Sequence, residues 1–565
     1  MFSRYPEHWR KRHGCIFVPS WEYDGPFKDV LHSLTSDTVL TDYDPVALSR
    51  ALDQWWDQYF PSALKGKVQV PTERIWRPWH RAVLTPRAVS KLKKFLSHLV
   101  VMGIDKGKNR LLLVCPKLFD RLYRATFPCE SDPHHFQEVK LCEVDYVAAL
   151  KAVHTHLKWE RLGSFDTEGS PPEPYPLFKL KDILATCEEV QAQKGTCCRN
   201  RPISPNTQHW LRRVYKRVGS VLRFVVKQMP SRSVNFIRSQ GLIGLVESWA
   251  EEADPGAEWL VAVGDVSNCY DELDHSRVLE GVQWALHSLP EWLTENQGDR
   301  RPVRTVKGFS VHKYDRKDCQ LGNSCDLEGN RVNVSSKDVL EVCKFDVQNS
   351  VVFVLGKLWR RVRGAPMGGF LSAFYAMLCF GYIEHKCVSP MFAKLGLPGG
   401  VRRYLDDVLI LVAVQTLDDR EKASKFVEWM GSEPYPPPLK LNMEAFGDQE
   451  FLETVISGGK EVRVQLQNKR VADLLGGKGP QRARFSTQAP RAVNQALAQG
   501  ILTRAVQHTR PPHLLSHAVI QLQYEMSVDG MTSGVLKQAC RAVALSKTCE
   551  KKKKASKVLG KFGTG

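Results

Sequence analysis

The chain has 565 residues, 43% of them apolar, enough to fill several ordinary cores, which speaks against a disordered or fibrous protein. Its formal net charge of +19 at pH 7 points to a polyanionic partner, a nucleic acid or an anionic membrane surface, and 19 Lys and Arg against 6 Asp and Glu from Phe451 onward place +13 of it in the last fifth. The fifteen cysteines are odd in number and form no CxxC, so reduced thiols in an intracellular setting are expected rather than a disulfide framework.

In chain order, "MFSRYPEHWRKRHG" carries no apolar stretch of the kind a signal peptide needs. Residues 1–95 interleave Trp and Arg, as in "RIWRPWHRAV"; such a segment either contacts nucleic acid by stacking and phosphate pairing or packs a small helical domain with a charged outer face. "LSHLVVMGID" reads as helix, "RLLLV" as strand and "CPKLFDRLYRATF" as helix. "EWLVAVGDVSNCY" predicts a buried strand. Residues 298–338 are polar and aperiodic and predict a surface insertion, whose Cys319, Cys325 and His312 fit no common zinc spacing. A helix is expected from Leu371 or Ser372; its apolar run "FLSAFYAMLCFGYI" has 14 residues, too few to cross a bilayer. "RRYLDDVLILVAV" predicts a second buried strand, and "EPYPPPLK" breaks the chain after it. The region from Lys460 is basic, and "KKKK" at 551–554 opens a tail expected to be mobile. Nothing in that tail resembles a lipid anchor, so no membrane partner is expected.

Both predicted strands bring carboxylates to their ends. Asp265 closes "WLVAVGD", and Asp406 and Asp407 open "VLILV". Charges at the edge of a buried strand are expensive unless they bind a cation. Strand ends of this kind suit a two-metal site, in which Mg²⁺ ions about 3.5–4 Å apart activate an attacking hydroxyl and stabilise a leaving oxygen. Mg²⁺ takes only one or two protein carboxylates and completes its octahedron with water and substrate phosphates, so three aspartates suffice. Successive strand residues point to opposite faces, so the adjacent pair fits best in a hairpin turn, with Asp406 toward the metals and Asp407 beside them. Between the two runs, "RGAPMGGFLSAF" sets Gly364, Gly368 and Gly369 around Pro366 in a tight loop that a nucleotide can approach closely.

Taken together, D-x-x-x-x-Y at 265–270, G-x-P-M-G-G-x-L-S at 364–372 and Y-L-D-D at 404–407 resemble motifs A, B and C of the reverse transcriptase palm. The resemblance implies an α+β right-hand polymerase with an antiparallel palm sheet. Its parts would be an N-terminal extension over 1–95, fingers over 96–254, palm over 255–460, a basic helical thumb over 461–550 and the tail 551–565. It implies Asp265, Asp406 and Asp407 as catalytic metal ligands for two Mg²⁺ ions, which Mn²⁺ can replace. Tyr270 falls where such enzymes place an aromatic gate that clashes with a ribose 2′-OH. "CRNRPIS" is similar to the fingers segment that meets the triphosphate, with Arg199 and Arg201 as candidate phosphate ligands and Lys194 a weaker one. Pro366, Met367, Gly368 and Gly369 would line the nucleotide. In "LKLNMEAFGDQEFLETVI", similar to motifs D and E, Lys440 would protonate the departing pyrophosphate and Phe451-Leu452 would form part of a primer grip. Met367, where many reverse transcriptases carry Gln, and "GIDKGKNRLLLV" at 103–114 are most similar to Penelope-like retroelements, on the telomerase-related branch.

The implied activity is RNA-directed DNA synthesis, with an RNA template, a DNA primer and dNTPs as partners. Two other readings stay open. Asp271 lies where RNA-dependent RNA polymerases place an acidic residue that accepts the ribose 2′-OH, so Tyr270 and Asp271 argue for opposite sugars; the lack of the Thr and Asn usual in motif B of those enzymes favours DNA. A non-catalytic nucleic-acid-binding protein on the same fold would use the basic C-terminal region without the aspartates. Neither compartment nor oligomeric state is legible, although nuclear residence would suit the basic tail.

Overall fold

The computed structural model describes residues 16–17, 100–105, 107–114, 116–179, 200–230, 233–235, 241–297, 303–322, 329–452, 454–466, 491–511, 513–528, 531 and 533–545. They belong to two compact units, one formed by 1–126, 176–201 and 465–565, the other by 127–175 and 202–464. This partition cuts through the region expected to be fingers. The reason is the helix Arg212–Gln228, whose Val214, Val218, Val221, Leu222 and Val225 recur at helical spacing and enter the same core as the helices His275–Gln297 and Ser372–Lys386.

In the first unit, the strand Gly107–Val114 lies antiparallel to both Ile16–Phe17 and Val100–Asp105. "LSHLVVMGID", expected as helix, is therefore strand from Val100 on: the β-branched Val100 and Val101 pair with Val114 and Leu113 across the sheet. The helices Arg491–Gln507, Leu514–Val528 and Ser533–Ala544 close over a core of their own that contains Leu502, Val519 and Leu536.

The second unit is built on a four-stranded antiparallel sheet in the order Gly399–Tyr404, Asp407–Val414, Glu258–Ser267, Lys440–Met443. Both predicted buried strands are present, and each is buried on both faces along most of its length. Against one face, carrying Ala262, Val266, Val408 and Ile410, stand Arg212–Gln228, His275–Gln297 and Ser372–Lys386. Against the other, carrying Val261, Val263, Leu409 and Leu411, stand the helix Leu242–Glu252 and a small sheet containing Phe451, Ile456 and Val464. The helix expected from Leu371 or Ser372 begins at Ser372, and among the described residues no helix is long and apolar enough to cross a membrane.

The insertion is not an irregular surface loop throughout. Its described part forms a three-stranded antiparallel sheet, Arg331–Val334, Phe309–His312 and Cys319–Leu321, whose Phe309, Val311 and Val334 are buried in the main core. The polar majority of the segment hid those three apolar positions. His312 Nδ1 accepts the backbone N–H of Tyr314 and Asp315, so the ring organises a turn. Cys319 is a free thiol, and Cys325 lies outside the described residues.

Candidate active site

Residues directly opposite one another in an antiparallel sheet project to the same face, so the register determines which side chains meet. Asp265 stands opposite Asp407 on one neighbour and Asn442 on the other, and Ser267 stands opposite Lys440. All five share the face on which Val261, Val263, Leu409 and Leu411 are buried. Within one strand-period that face changes from apolar to polar and becomes a patch of two carboxylates, an amide, a hydroxyl and an amine. The Val266 N–H donates to the Asp406 carbonyl at 2.9 Å, which makes 266 and 406 a hydrogen-bonded pair. The neighbouring pair, Asp265 and Asp407, is therefore of the close kind, with Cα atoms about 4.5 Å apart. Like charges directly opposite destabilise a sheet, and a divalent cation between them would remove the repulsion.

Asp406 sits in the two-residue turn between Gly399–Tyr404 and Asp407–Val414, after Leu405 at φ 57°, a left-handed conformation that ordinarily favours glycine. The neighbouring Arg403 holds this turn from below. Arg403 is completely buried; its Nη1 donates to the Leu405 carbonyl at 2.8 Å, and its Nε and Nη2 both reach Glu384 on the Ser372–Lys386 helix. Tyr435 Oη donates to the same carboxylate at 2.7 Å. Burial would lower the guanidinium, but Glu384 reverses this and keeps it above its ordinary value. Cys269 lies among these charges: burial, Asp406 and Asp265 push its thiol up, against the opposing effect of Arg403. The aspartate turn, the first carboxylate strand and the helix after the glycine loop thus surround one buried ion pair.

The glycine loop closes on the chain itself. The Tyr270 carbonyl accepts the Ala365 N–H at 2.7 Å, and the Leu273 carbonyl accepts the Gly364 N–H at 2.8 Å. Gly364 adopts φ 77°, and a Cβ there would stand 2.5 Å from the Asp271 carbonyl oxygen. Gly368 adopts φ 110°, with the Ser204 carbonyl oxygen 2.9 Å from its would-be Cβ, and the Ser204 N–H donates to the Met367 carbonyl at 2.7 Å. At these two positions the close approach expected of a nucleotide is made by the protein's own backbone. Two ion pairs reinforce the seam, Arg361 with Asp271 at 3.4 Å and Arg363 with Glu272 at 3.3 Å. Burial raises the Asp271 carboxyl, opposed by Arg361 and His135.

Of the candidates read from the sequence, Asp265, Asp407 and Lys440 share one polar face, Asp406 is fastened to the same strand, and Tyr270 with Pro366, Met367, Gly368 and Gly369 forms the seam beside it. Arg201 lies on the strand Asn200–Ile203, two residues before Ile203 bridges Met367. Arg199 and Lys194 lie outside the described residues. Phe451 is fully buried beneath the sheet and belongs to the core, while Leu452 is half-buried. Sequence reasoning missed Arg403, Glu384, Ser267 and Asn442. The parity of Arg403 with the buried Val401 and of Asn442 with Lys440 was the available signal. Among the described residues no group of three or more Asp, Glu, His or Cys is placed to hold a metal ion, Asp265, Asp406 and Asp407 included. An open pair of carboxylates still suits Mg²⁺, which keeps several waters and takes few protein ligands.

No protein-family profile matches the chain. It is 25% identical over 203 residues to a telomerase reverse transcriptase from Oryzias latipes, a match covering 32% of this chain and 18% of that protein, so the chain spans under a fifth of this relative's length. Among solved structures it is similar to telomerase from Candida albicans in complex with a TWJ fragment of telomeric RNA, with a TM-score of 0.54 and 9% identity over 96% of this chain and 88% of that one. Apo telomerase from Candida tropicalis gives 0.48 and 11% over 94% and 88%. The chain adopts the α+β right-hand polymerase fold, and about a third of it is similar in sequence to a reverse transcriptase.

Proposed function

We propose that the protein is an RNA-templated polymerase and, within that class, an RNA-directed DNA polymerase that extends a DNA primer 3′-OH with dNTPs. The observation that carries this reading is the Asp265–Asp407 pair at the polar end of an otherwise apolar sheet face, with Asp406 stapled beside it through Val266. Asp265, Asp406 and Asp407 would hold two Mg²⁺ ions, or Mn²⁺ in their place; bound there, the ions would lower the pKa of the attacking hydroxyl and neutralise the departing pyrophosphate. Lys440 shares the face of the carboxylates and would donate a proton to that leaving group. Tyr270, with its carbonyl fixed to Ala365, would sit under the sugar and exclude a 2′-OH. Arg201, with Arg199, would take triphosphate oxygens by forked hydrogen bonds. Engagement of Asp271 by Arg361 supports the DNA reading over RNA synthesis, because the carboxylate is already committed to a buried guanidinium. Met367 and the 103–114 segment favour the Penelope-like branch within the class.

Primer extension on an RNA template tests this, with dNTPs and rNTPs in parallel and Asp406→Asn beside the wild type. Extension with dNTPs alone, absent in the variant, is the expected result. Extension with rNTPs alone would move the assignment to an RNA polymerase, and primer–template binding without extension would leave a nucleic-acid-binding protein on a polymerase fold.

A further inference from the structure

The insertion and the helix Arg212–Gln228 converge on one ring. Lys216 Nζ stands 5.4 Å from the centre of Phe370, and the Arg316 guanidinium stands 5.5 Å from it. Phe370 follows directly on Gly368-Gly369, and its backbone is seated against Gly219, where a Cβ would come within 3.3 Å of the Phe370 carbonyl oxygen. The helix carries six Lys or Arg and no Asp or Glu over 17 residues. Its apolar stripe is buried, so the cations occupy the opposite side. On the insertion, the turn after Phe309–His312 carries Lys313, Tyr314, Arg316 and Lys317. Its acidic residues are already used: Asp315 caps the turn by accepting the Lys317 N–H at 2.8 Å, and Asp318 pairs with Arg331 at 2.7 Å. His312 holds the turn through two backbone N–H groups, which leaves Tyr314 81% exposed.

Two separate elements thus bring mutually repelling cations together. Burial lowers the Lys216 amine, and Arg316, Arg212, Arg217 and Arg213 lower it further. Arg212 has its own partner, Asp166 at 2.6 Å. Tyr314 lies within electrostatic reach of Arg217. A merely solvated basic face would let Arg316 extend into water. Here it lies over Phe370 and faces Lys216, an arrangement that a polyanion would stabilise. An exposed aromatic among cations is the pattern that grips unpaired nucleic acid: phosphates take the charges, and a base stacks on the ring.

We infer that this surface is a binding site for single-stranded nucleic acid, with phosphates on Arg213, Lys216, Arg217 and Arg316 and a base on Tyr314. Its continuity through Phe370 with the glycine loop identifies the strand as unpaired template; that identification, unlike the binding, rests on the polymerase reading.

Fluorescence anisotropy with the full chain tests it, without nucleotide or metal, comparing a blunt RNA–DNA duplex with the same duplex carrying a 5′ single-stranded template overhang. The wild type should bind the overhang duplex more tightly. Lys216→Ala/Arg316→Ala should abolish that gain, leave blunt-duplex binding unchanged and flatten the salt slope on the overhang duplex by about 1.4, at about 0.7 for each phosphate no longer neutralised. Tyr314→Ala should weaken overhang binding about 5- to 140-fold and Tyr314→Phe should restore it. Unchanged binding of the overhang duplex in a folded variant would overturn the inference, as would equal losses on the blunt and overhang duplexes. A chain that fails to extend primers yet shows the overhang gain and its loss would retain this site and refute only the polymerase reading.

Discussion

The Arg403–Glu384 pair should behave as the keystone of the aspartate turn, and Glu384→Gln is the perturbation that exposes it. The variant keeps the size of the side chain but removes the charge paired with a guanidinium that is 0% exposed. Breaking one partner of a buried ion pair costs about 3–5 kcal/mol, because the other charge is left uncompensated. The unit formed by 127–175 and 202–464 contains 49 plus 263 residues, or 312. At about 2.1 cal/mol/K per residue its unfolding entropy is about 0.65 kcal/mol/K, so the thermal midpoint should fall by about 5 to 8 °C. The informative comparison is Arg403→Met/Glu384→Leu/Tyr435→Phe. It removes all three polar partners together and should recover most of the midpoint, since apolar replacement of a buried pair is often near neutral. It also deprives the Leu405 carbonyl of the Arg403 donor at 2.8 Å, so nucleotide addition should remain at least tenfold impaired, corresponding to about 1.4 kcal/mol of lost positioning. Differential scanning fluorimetry with single-turnover extension reads both. A midpoint unchanged in Glu384→Gln would refute the stabilising role, and full activity in the triple variant would refute the positioning role.

Three other expectations follow from particular residues. Gly364→Ala places a methyl group 2.5 Å from the Asp271 carbonyl oxygen at φ 77°, and should lower stability by about 1–3 kcal/mol; Gly244→Ala, with nothing within 4 Å, should raise it by about 0.5–1 kcal/mol, and urea midpoints of the two variants should therefore move in opposite directions. Burial raises the Asp346 carboxyl to about 6 despite hydrogen bonds from Tyr375 and Tyr215. The folded chain then holds more proton than the unfolded one between about pH 4 and 6, so stability falls by about 3 kcal/mol as pH rises through that window; Asp346→Asn should remove this slope, and equal slopes in urea titrations of both proteins would refute it. Asp407→Asn relieves the facing carboxylates and should raise the midpoint in EDTA by an amount corresponding to about 0.2–1 kcal/mol, while Mg²⁺ should stabilise the wild type and not the variant; a variant that responds equally to Mg²⁺ would speak against Asp407 as a ligand.

The sequence was most legible where composition and position agreed. Runs of Val, Leu and Ile announced the strands Glu258–Ser267 and Asp407–Val414, and paired aspartates between an aromatic and an apolar run announced the turn. Arg403 was illegible because two arginines before "YLDD" look like surface charge; only their strand parity distinguishes Arg403, on the Glu384 side, from Arg402, which lies over Trp249 at 4.9 Å. The glycines were read as a loop that a nucleotide approaches; the close neighbours of Gly364 and Gly368 are the protein's own Asp271 and Ser204 carbonyls, which spacing along the chain does not tell. The insertion misled for a related reason: three buried apolar side chains suffice to seat a small sheet, too few to register as periodicity within a polar segment.

The alternation of Glu258–Ser267 also sets a constraint of parity. Its odd-numbered residues Val261, Val263 and Asp265 share a face, so the side to which the carboxylate is delivered depends on a count made from within the buried core. Deleting a single residue between Glu258 and Gly264 would send Asp265 to the face of Val266 and Val408, among side chains that cannot hydrate it, and would bring a core valine into the polar patch. Two residues could be lost with the side preserved, though not the position along the strand. The strand thus acts as a reading frame: changes in length are tolerable in the loops that join such strands and ruinous inside them.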